Sequence, residues 1–201
     1  MEDSELVRVF QGGDESAFDE LVSRHRRQAY GLARSMLRSH EQADEVAQDA
    51  FLKAYQGLAN FKGGSTFKTW LYRITVNTAL DLRAREATQR RVRAAARQER
   101  GDGPPADPRP RPLDVLMREQ ELVRLREAMA RLPERQRLTL SLRVQQDLKY
   151  SEIAAVLGCP VGTVKANHHH AVRNLRRYLS EAEAAEPQDG RLSRAVAAGD
   201  E

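Results

Sequence analysis

Core-type side chains recur at three- and four-residue intervals through the first sixty positions. Phe18, Leu21, Val22, His25, Ala29, Leu32 and Met36 form one series, and Ala43, Val46, Ala47, Ala50, Phe51, Ala54 and Leu58 form a second. Each predicts an amphipathic helix with one buried stripe. Asp14 and Glu15 open the first, where negative charge suits a helix N-terminus. The stretch FKGGS at 61–65 interrupts the pattern, because paired glycines permit a tight or strained backbone. A third helix is predicted from about Thr66 beyond Arg85, with 86–98 left undecided. It carries Leu71, Ile74, Thr78 and Leu82 on its core side and Trp70, Arg73, Asn77 and Asp81 on another.

The C-terminal part gives one conflicting signal. In RLTLSLRV, Leu138, Leu140, Leu142 and Val144 alternate with polar residues as in a strand. No second strand candidate exists to pair with it, so a helix is expected. From Tyr150 the text is YSEIAAVLGCPVGTVKANHHHAVRNLRRYL. Ser151 is expected to cap a short helix with Glu152 in its first turn, buried through Ile153, Ala154 and Leu157 and ended by Gly158. After a turn of about three residues, Cys159 is expected at the next N-cap and Pro160 at the first helical position. Val164, His168, Ala171 or Val172, and Leu175 supply the inward stripe. Two helices joined by a short glycine-containing turn form a helix-turn-helix, whose second helix enters the major groove. Its outward positions Thr163, Lys165, Ala166, Asn167, His169, His170 and Arg173 would face DNA, with Arg176 and Arg177 near phosphates.

Between the two parts lies ERGDGPPADPRPRPLD, 99–114, whose five prolines and two glycines suit neither a helix nor a central strand. The expected organisation is all-α: a helical domain at 1–95, a flexible linker at 96–114, a helix-turn-helix domain at 115–180 and a polar tail at 181–201. With 201 residues and 40 % apolar content, each domain has a modest core. The net charge of +4 is unevenly spread: residues 1–59 hold seven basic and eleven acidic side chains, and residues 60–100 hold ten and three. The second segment suits a polyanion. No stretch approaches the roughly 20 apolar residues of a membrane span, the N-terminus is acidic, and Cys159 is the single cysteine. A cytoplasmic protein without membrane insertion is expected.

The candidate chemistry is recognition. No paired carboxylates, phosphate loop or nucleophile beside a base can be found, so neither an enzyme nor a cofactor is expected. His168, His169 and His170 point about 100° apart on a helix and cannot converge on one metal ion. The stripe of Trp70, Arg73, Asn77 and Asp81 mixes a ring, a cation, an amide and a carboxylate, a combination better suited to stacking on and bonding exposed bases than to packing. Phe61 and Phe67 flank the glycine loop before it, and Arg83, Arg85, Arg90, Arg91 and Arg93 follow it. Such an arrangement could hold a melted strand.

DEVAQDAFLKAY followed by F-x-G-G-S-x-F-x-T-W-L-Y-R-I-x-x-N, then LPERQR and YSEIAAVLGCPVGTVK, resembles bacterial RNA polymerase sigma factors of the extracytoplasmic-function group, over about residues 5–85 and 115–178. The resemblance implies a sigma-2 domain for the promoter −10 element and a sigma-4 domain for the −35 element. It further implies that Phe61, Lys62, Gly63, Gly64, Ser65 and Thr66 capture a flipped non-template base, with Trp70, Arg73, Asn77 and Asp81 in melting and reading. Glu45, Gln48, Asp49 and Leu52 would dock on the β′ clamp helices of core RNA polymerase, and sigma-4 would rest on the β flap. An anti-sigma protein is a usual partner in the family, and no residue here identifies one. Asn167 and His170 stand where many relatives carry arginines, so the usual −35 sequence is not assumed. A flexible linker cannot set the spacing of two DNA sites, so polymerase is expected to hold both domains. The competing reading is a stand-alone helix-turn-helix regulator, which leaves the glycine-flanked basic helix without a role.

Overall fold

The computed structural model describes residues 1–37, 39–98 and 118–184. Among these residues there are eight helices and no strand: α1 (Asp3–Gln11), α2 (Ser16–Met36), α3 (His40–Leu58), α4 (Phe67–Gln98), α5 (Arg118–Arg131), α6 (Glu134–Val144), α7 (Tyr150–Leu157) and α8 (Val161–Ala184). The fold is all-α.

Local chemistry sets the helix ends. The carboxylate of Asp14 accepts from the Ser16 amide at 3.0 Å, just before α2. Ser39 caps α3 by accepting from the Gln42 amide, and Thr66 caps α4 by accepting from the Thr69 amide at 3.1 Å. At α7 the expected cap is corrected: Ser151 lies inside the helix, and Glu152 reaches back to the Lys149 amide at 2.7 Å instead. A carboxylate in the first turn satisfies that orphan donor better than a hydroxyl two residues further along. Pro160 likewise precedes α8 rather than opening it, since its carbonyl accepts from Val164. Two limits also move. Helix α4 runs through 86–98, and α8 extends four residues into the stretch expected to be tail. The Pro/Gly-rich segment from 99 and the residues after 184 lie outside the described residues.

The N-terminal half buries Leu6, Phe18, Leu21, Phe51, Leu58, Phe67 and Leu71 between α1, α2, α3 and α4. Phe10, Phe18, Phe51 and Tyr55 meet there edge to face or tilted, with ring centroids 5.2–6.4 Å apart. In the C-terminal half, Leu132, Leu140 and Ala171 form a smaller cluster with Met129, Val172, Leu175 and Tyr178.

A third cluster joins the halves. Leu32, Met36, Val46, Tyr72, Val76 and Ala79 pack with Leu138, Leu142, Leu148, Ile153, Ala154, Val156 and Val164. This explains the strand-like pattern of α6. Leu138 and Leu142 face the shared cluster while Leu140 faces α8, and Thr139 and Ser141 are buried between them. A helix covered on both sides has no continuous polar face, so its periodicity does not read as amphipathic.

Candidate nucleic-acid and polymerase interfaces

The loop before α4 is held at both ends. The Gln11 amide donates to the carbonyls of Leu58 and Phe61, each at 2.9 Å. At the other end, the Thr66 hydroxyl is engaged with Thr69. Between them Lys62, Gly63 and Gly64 are exposed and Ser65 is half-buried, and Gly63 has φ +70°, a conformation that side chains rarely adopt. Phe61 is half-buried with its ring 4.9 Å from Trp70. Trp70 also lies 6.1 Å from Phe67, and its ring edge covers Gly57, where an added Cβ would come within 3.2 Å. Trp70 is therefore half-buried, sharing packing with the core while fixing the position of Phe61.

Arg73, Asn77 and Asp81 are exposed along the same side of α4. The stripe is not open throughout. The Arg73 guanidinium donates to the Ala155 carbonyl of α7 at 2.7 Å, and Arg73 and Asn77 form one wall of an open cleft of about 550 Å³. The other wall is Ala154, Ala155, Val156, Leu157, Gly158, Cys159 and Pro160. Arg85, Arg90 and Arg91 continue along α4 as exposed cations, while Arg83 pairs with Glu134 of α6.

The helix-turn-helix follows from its turn. Gly158 has φ 61° and ψ 39°, and the Cys159 amide returns to the Ala154 carbonyl at 3.1 Å, so α7 ends here and α8 starts after the three residues Gly158, Cys159 and Pro160. Val164 and Ala171 are buried, with His168 half-buried. The His168 ring packs edge-on against Tyr150 with centroids 5.6 Å apart. Thr163, Lys165, Ala166, His169, His170 and Arg173 are exposed, and Asn167 is half-buried at the edge of that face. His170 contacts Arg173 at 3.2 Å. Among the described residues no group of three or more His, Cys, Asp or Glu side chains could hold a metal ion.

On α3, Glu45, Gln48, Asp49 and Leu52 share one exposed face, opposite the buried Ala43, Val46, Ala47 and Ala50. Leu52 is 56 % exposed beside these polar groups.

Residues 21–89 match the family Sigma-70 region 2, and residues 122–175 match Sigma-70, region 4. The RNA polymerase sigma-H factor of Pseudomonas aeruginosa is 39 % identical over 169 residues, 82 % of this chain and 87 % of that one. The chain belongs to the sigma-70 family of RNA polymerase sigma factors, in its extracytoplasmic-function group. The sigma-E factor of Escherichia coli is 36 % identical over 167 residues, again 82 % of this chain and 87 % of that protein. Two solved complexes share the fold of this sigma factor. CnrH bound to the cytosolic domain of CnrY has a TM-score of 0.65 at 27 % identity, over 92 % of this chain and 99 % of that one. The sigma factor RpoE bound to the anti-sigma factor NepR, from Bartonella quintana, has a TM-score of 0.58 at 25 % identity, over 81 % and 96 %. As a sigma factor, the chain directs promoter recognition in transcription initiation.

The sequence alone missed Gln146 altogether. It is buried between the halves and accepts from the Tyr72 phenol at 2.7 Å through its side chain and from Lys68 at 2.8 Å through its carbonyl. The second glutamine of QQDLK carries no periodic signal, so only its surroundings reveal it. Gln11 is a second omission, for the same reason.

Proposed function

We propose that this sigma factor brings core RNA polymerase to a promoter by two separate readings of DNA, without chemistry of its own and in the cytoplasm. Residues 115–180 read the −35 duplex through Thr163, Lys165, Ala166, Asn167, His169, His170 and Arg173. Residues 1–95 engage the −10 element, with Phe61 to Thr66 enclosing an unstacked base and Trp70, Arg73, Asn77 and Asp81 supporting the opened strand. Unstacking costs a few kcal/mol, and aromatic stacking returns roughly 1–3 kcal/mol per base, so stacking on an aromatic ring of this loop would offset much of the cost of opening. Glu45, Gln48, Asp49 and Leu52 meet the β′ clamp helices of polymerase and the C-terminal domain meets the β flap. The relative RpoE is named in complex with an anti-sigma factor, and a similar inhibitory protein is proposed for this chain.

The observation that carries this reading is the pairing of a glycine loop, held at both ends against Phe61 and Trp70, with a helix-turn-helix whose outward face is free. A stand-alone regulator would use the second and leave the first idle. Run-off transcription with core enzyme, combined with permanganate footprinting, is the test. Reactive thymines near −10 are expected from polymerase with this chain and not from the chain alone. Specific duplex binding without any polymerase-dependent opening would refute the proposal.

A further inference from the structure

We infer that Gln11 is the positioning residue of the loop proposed to capture an unstacked base: its side-chain amide sets where the Phe61 ring stands relative to Trp70 before any DNA arrives. The inference rests on the promoter reading above. Gln11 is the last residue of α1, and its side chain crosses to the C-terminal end of α3. There it meets the carbonyls of Leu58 and Phe61, each at 2.9 Å. Both are oxygens that can only accept, so the amide nitrogen faces them and uses both of its hydrogens. Leu58 is the last residue of α3, and its carbonyl also accepts from the Phe61 amide at 3.1 Å. Gln11 thus closes the exit turn of α3 onto the first residue of the loop, supplying a donor to a carbonyl that the helix end leaves without an intrahelical partner.

The element that carries Gln11 is itself fixed. Leu6 and Val7 are buried, and the Phe10 ring packs on Phe18 and Tyr55 with centroids 5.8 and 5.4 Å away. At the start of α1 the Asp3 carboxylate meets His25 at 2.6 Å and Arg24 at 3.3 Å. A group on a rigid element holds its partners more precisely than one on a loop. The segment it holds has freedom to lose: Lys62, Gly63, Gly64 and Ser65 lie between the Phe61 carbonyl and the Thr66 cap, and glycine loses more conformational entropy on ordering than any other residue. Fixing the ends beforehand lowers the ordering cost left to the binding step. Because the Phe61 carbonyl is anchored, the ring on the same residue keeps its place 4.9 Å from Trp70. Gln11 is exposed and its two partners are main-chain atoms, so its effect falls on the loop rather than on the core.

The test compares holoenzyme assembled from core polymerase and the full chain with holoenzymes carrying Gln11→Ala or Gln11→Glu, on a promoter fragment found by run-off transcription with the unaltered chain. Glutamate keeps the size and shape of glutamine, but once ionised it has no hydrogen to donate and sets negative oxygens against two carbonyls. Permanganate reactivity at saturating holoenzyme should fall severalfold with Gln11→Ala and further with Gln11→Glu. Protection of the −35 duplex should stay at the same holoenzyme concentration, and the urea midpoint of each variant should stay close to that of the unaltered chain. Undiminished opening with both variants overturns the inference. So does full opening with Gln11→Glu alongside a loss with Gln11→Ala, the pattern expected if shape alone mattered. Equal losses of duplex protection and opening, or a urea midpoint lowered enough to account for the loss, assign Gln11 to the fold and overturn it as well. In each of these cases the reactive thymines of the unaltered holoenzyme leave the promoter reading intact. No reactive thymines with any chain, the unaltered one included, overturns that reading and the inference with it.

Discussion

Helix α8 presents Lys165, Ala166, His169, His170 and Arg173 to solvent, whereas α4 commits the Arg73 guanidinium to the backbone of α7. Both helices follow a glycine-containing turn, and both display a polar stripe beside a buried one. They differ in what lies opposite. An open stripe can meet duplex DNA by diffusion, with cations steering the approach. A stripe that shares a cleft with its own chain meets a ligand only after that contact is given up. The packing thus leaves the outward face of α8 open and sets the stripe of α4 against α7.

The strongest challenge to this contrast is Leu142→Ala. Leu142 is fully buried in the cluster shared by both halves, so its truncation should cost about 2–5 kcal/mol. Trp70 is the single tryptophan and lies in the N-terminal half, so its fluorescence reports unfolding there. A shared core requires the Trp70 midpoint in urea to fall along with the loss of helical circular dichroism. If only the latter moves, the halves fold independently and α4 is not held by α7. Gly158→Ala comes next. At φ 61° a Cβ costs roughly 1–2 kcal/mol, which should reorient α8 and weaken duplex binding in a gel-shift assay.

Two surface changes sharpen the contrast further. Lys165→Ala should weaken duplex binding severalfold and reduce the slope of log affinity against log salt by about 0.9. Asn77→Ala should leave that slope and the folding stability unchanged, within about 0.5 kcal/mol, while lowering permanganate reactivity in the polymerase complex. Equal losses at both stages from either variant would erase the distinction between the helices. The smallest effect concerns Tyr72, whose burial pushes its phenol well above the ordinary value near 10. Above about pH 10 the unfolded chain releases this proton while the folded chain keeps it, so stability falls as pH rises toward the folded value. Tyr72→Phe should flatten that alkaline slope in urea titrations at pH 9 and 11.

The helices were legible because their buried stripes are narrow. Phe18 to Met36 and Ala43 to Leu58 each keep their buried positions on one stripe, and periodicity of 3.6 reports that directly. The glycine loop and the helix-turn-helix were legible for another reason: Gly63 and Gly158 mark backbone that few other residues adopt. Contact between the halves was harder to read. Leu71, Tyr72, Thr75, Val76, Thr78 and Ala79 make the buried arc of α4 too wide for one bundle, and that width was the available sign of a second partner. A proline-rich connector argues for separable halves, but separability does not forbid association. Trp70 was assigned to its stripe by spacing, yet spacing does not reveal the depth at which a ring sits, and contacts with Gly57, Phe61 and Phe67 set that depth.

The family match begins at residue 21, beyond all of α1. Even so, one side chain from that leading helix fastens the entrance of the loop proposed to receive a base, through Leu58 and Phe61. A chain trimmed to its recognisable portion would keep every reading residue and lose the buckle, taking one donor from each of two carbonyls and leaving the Phe61 ring to its contact with Trp70.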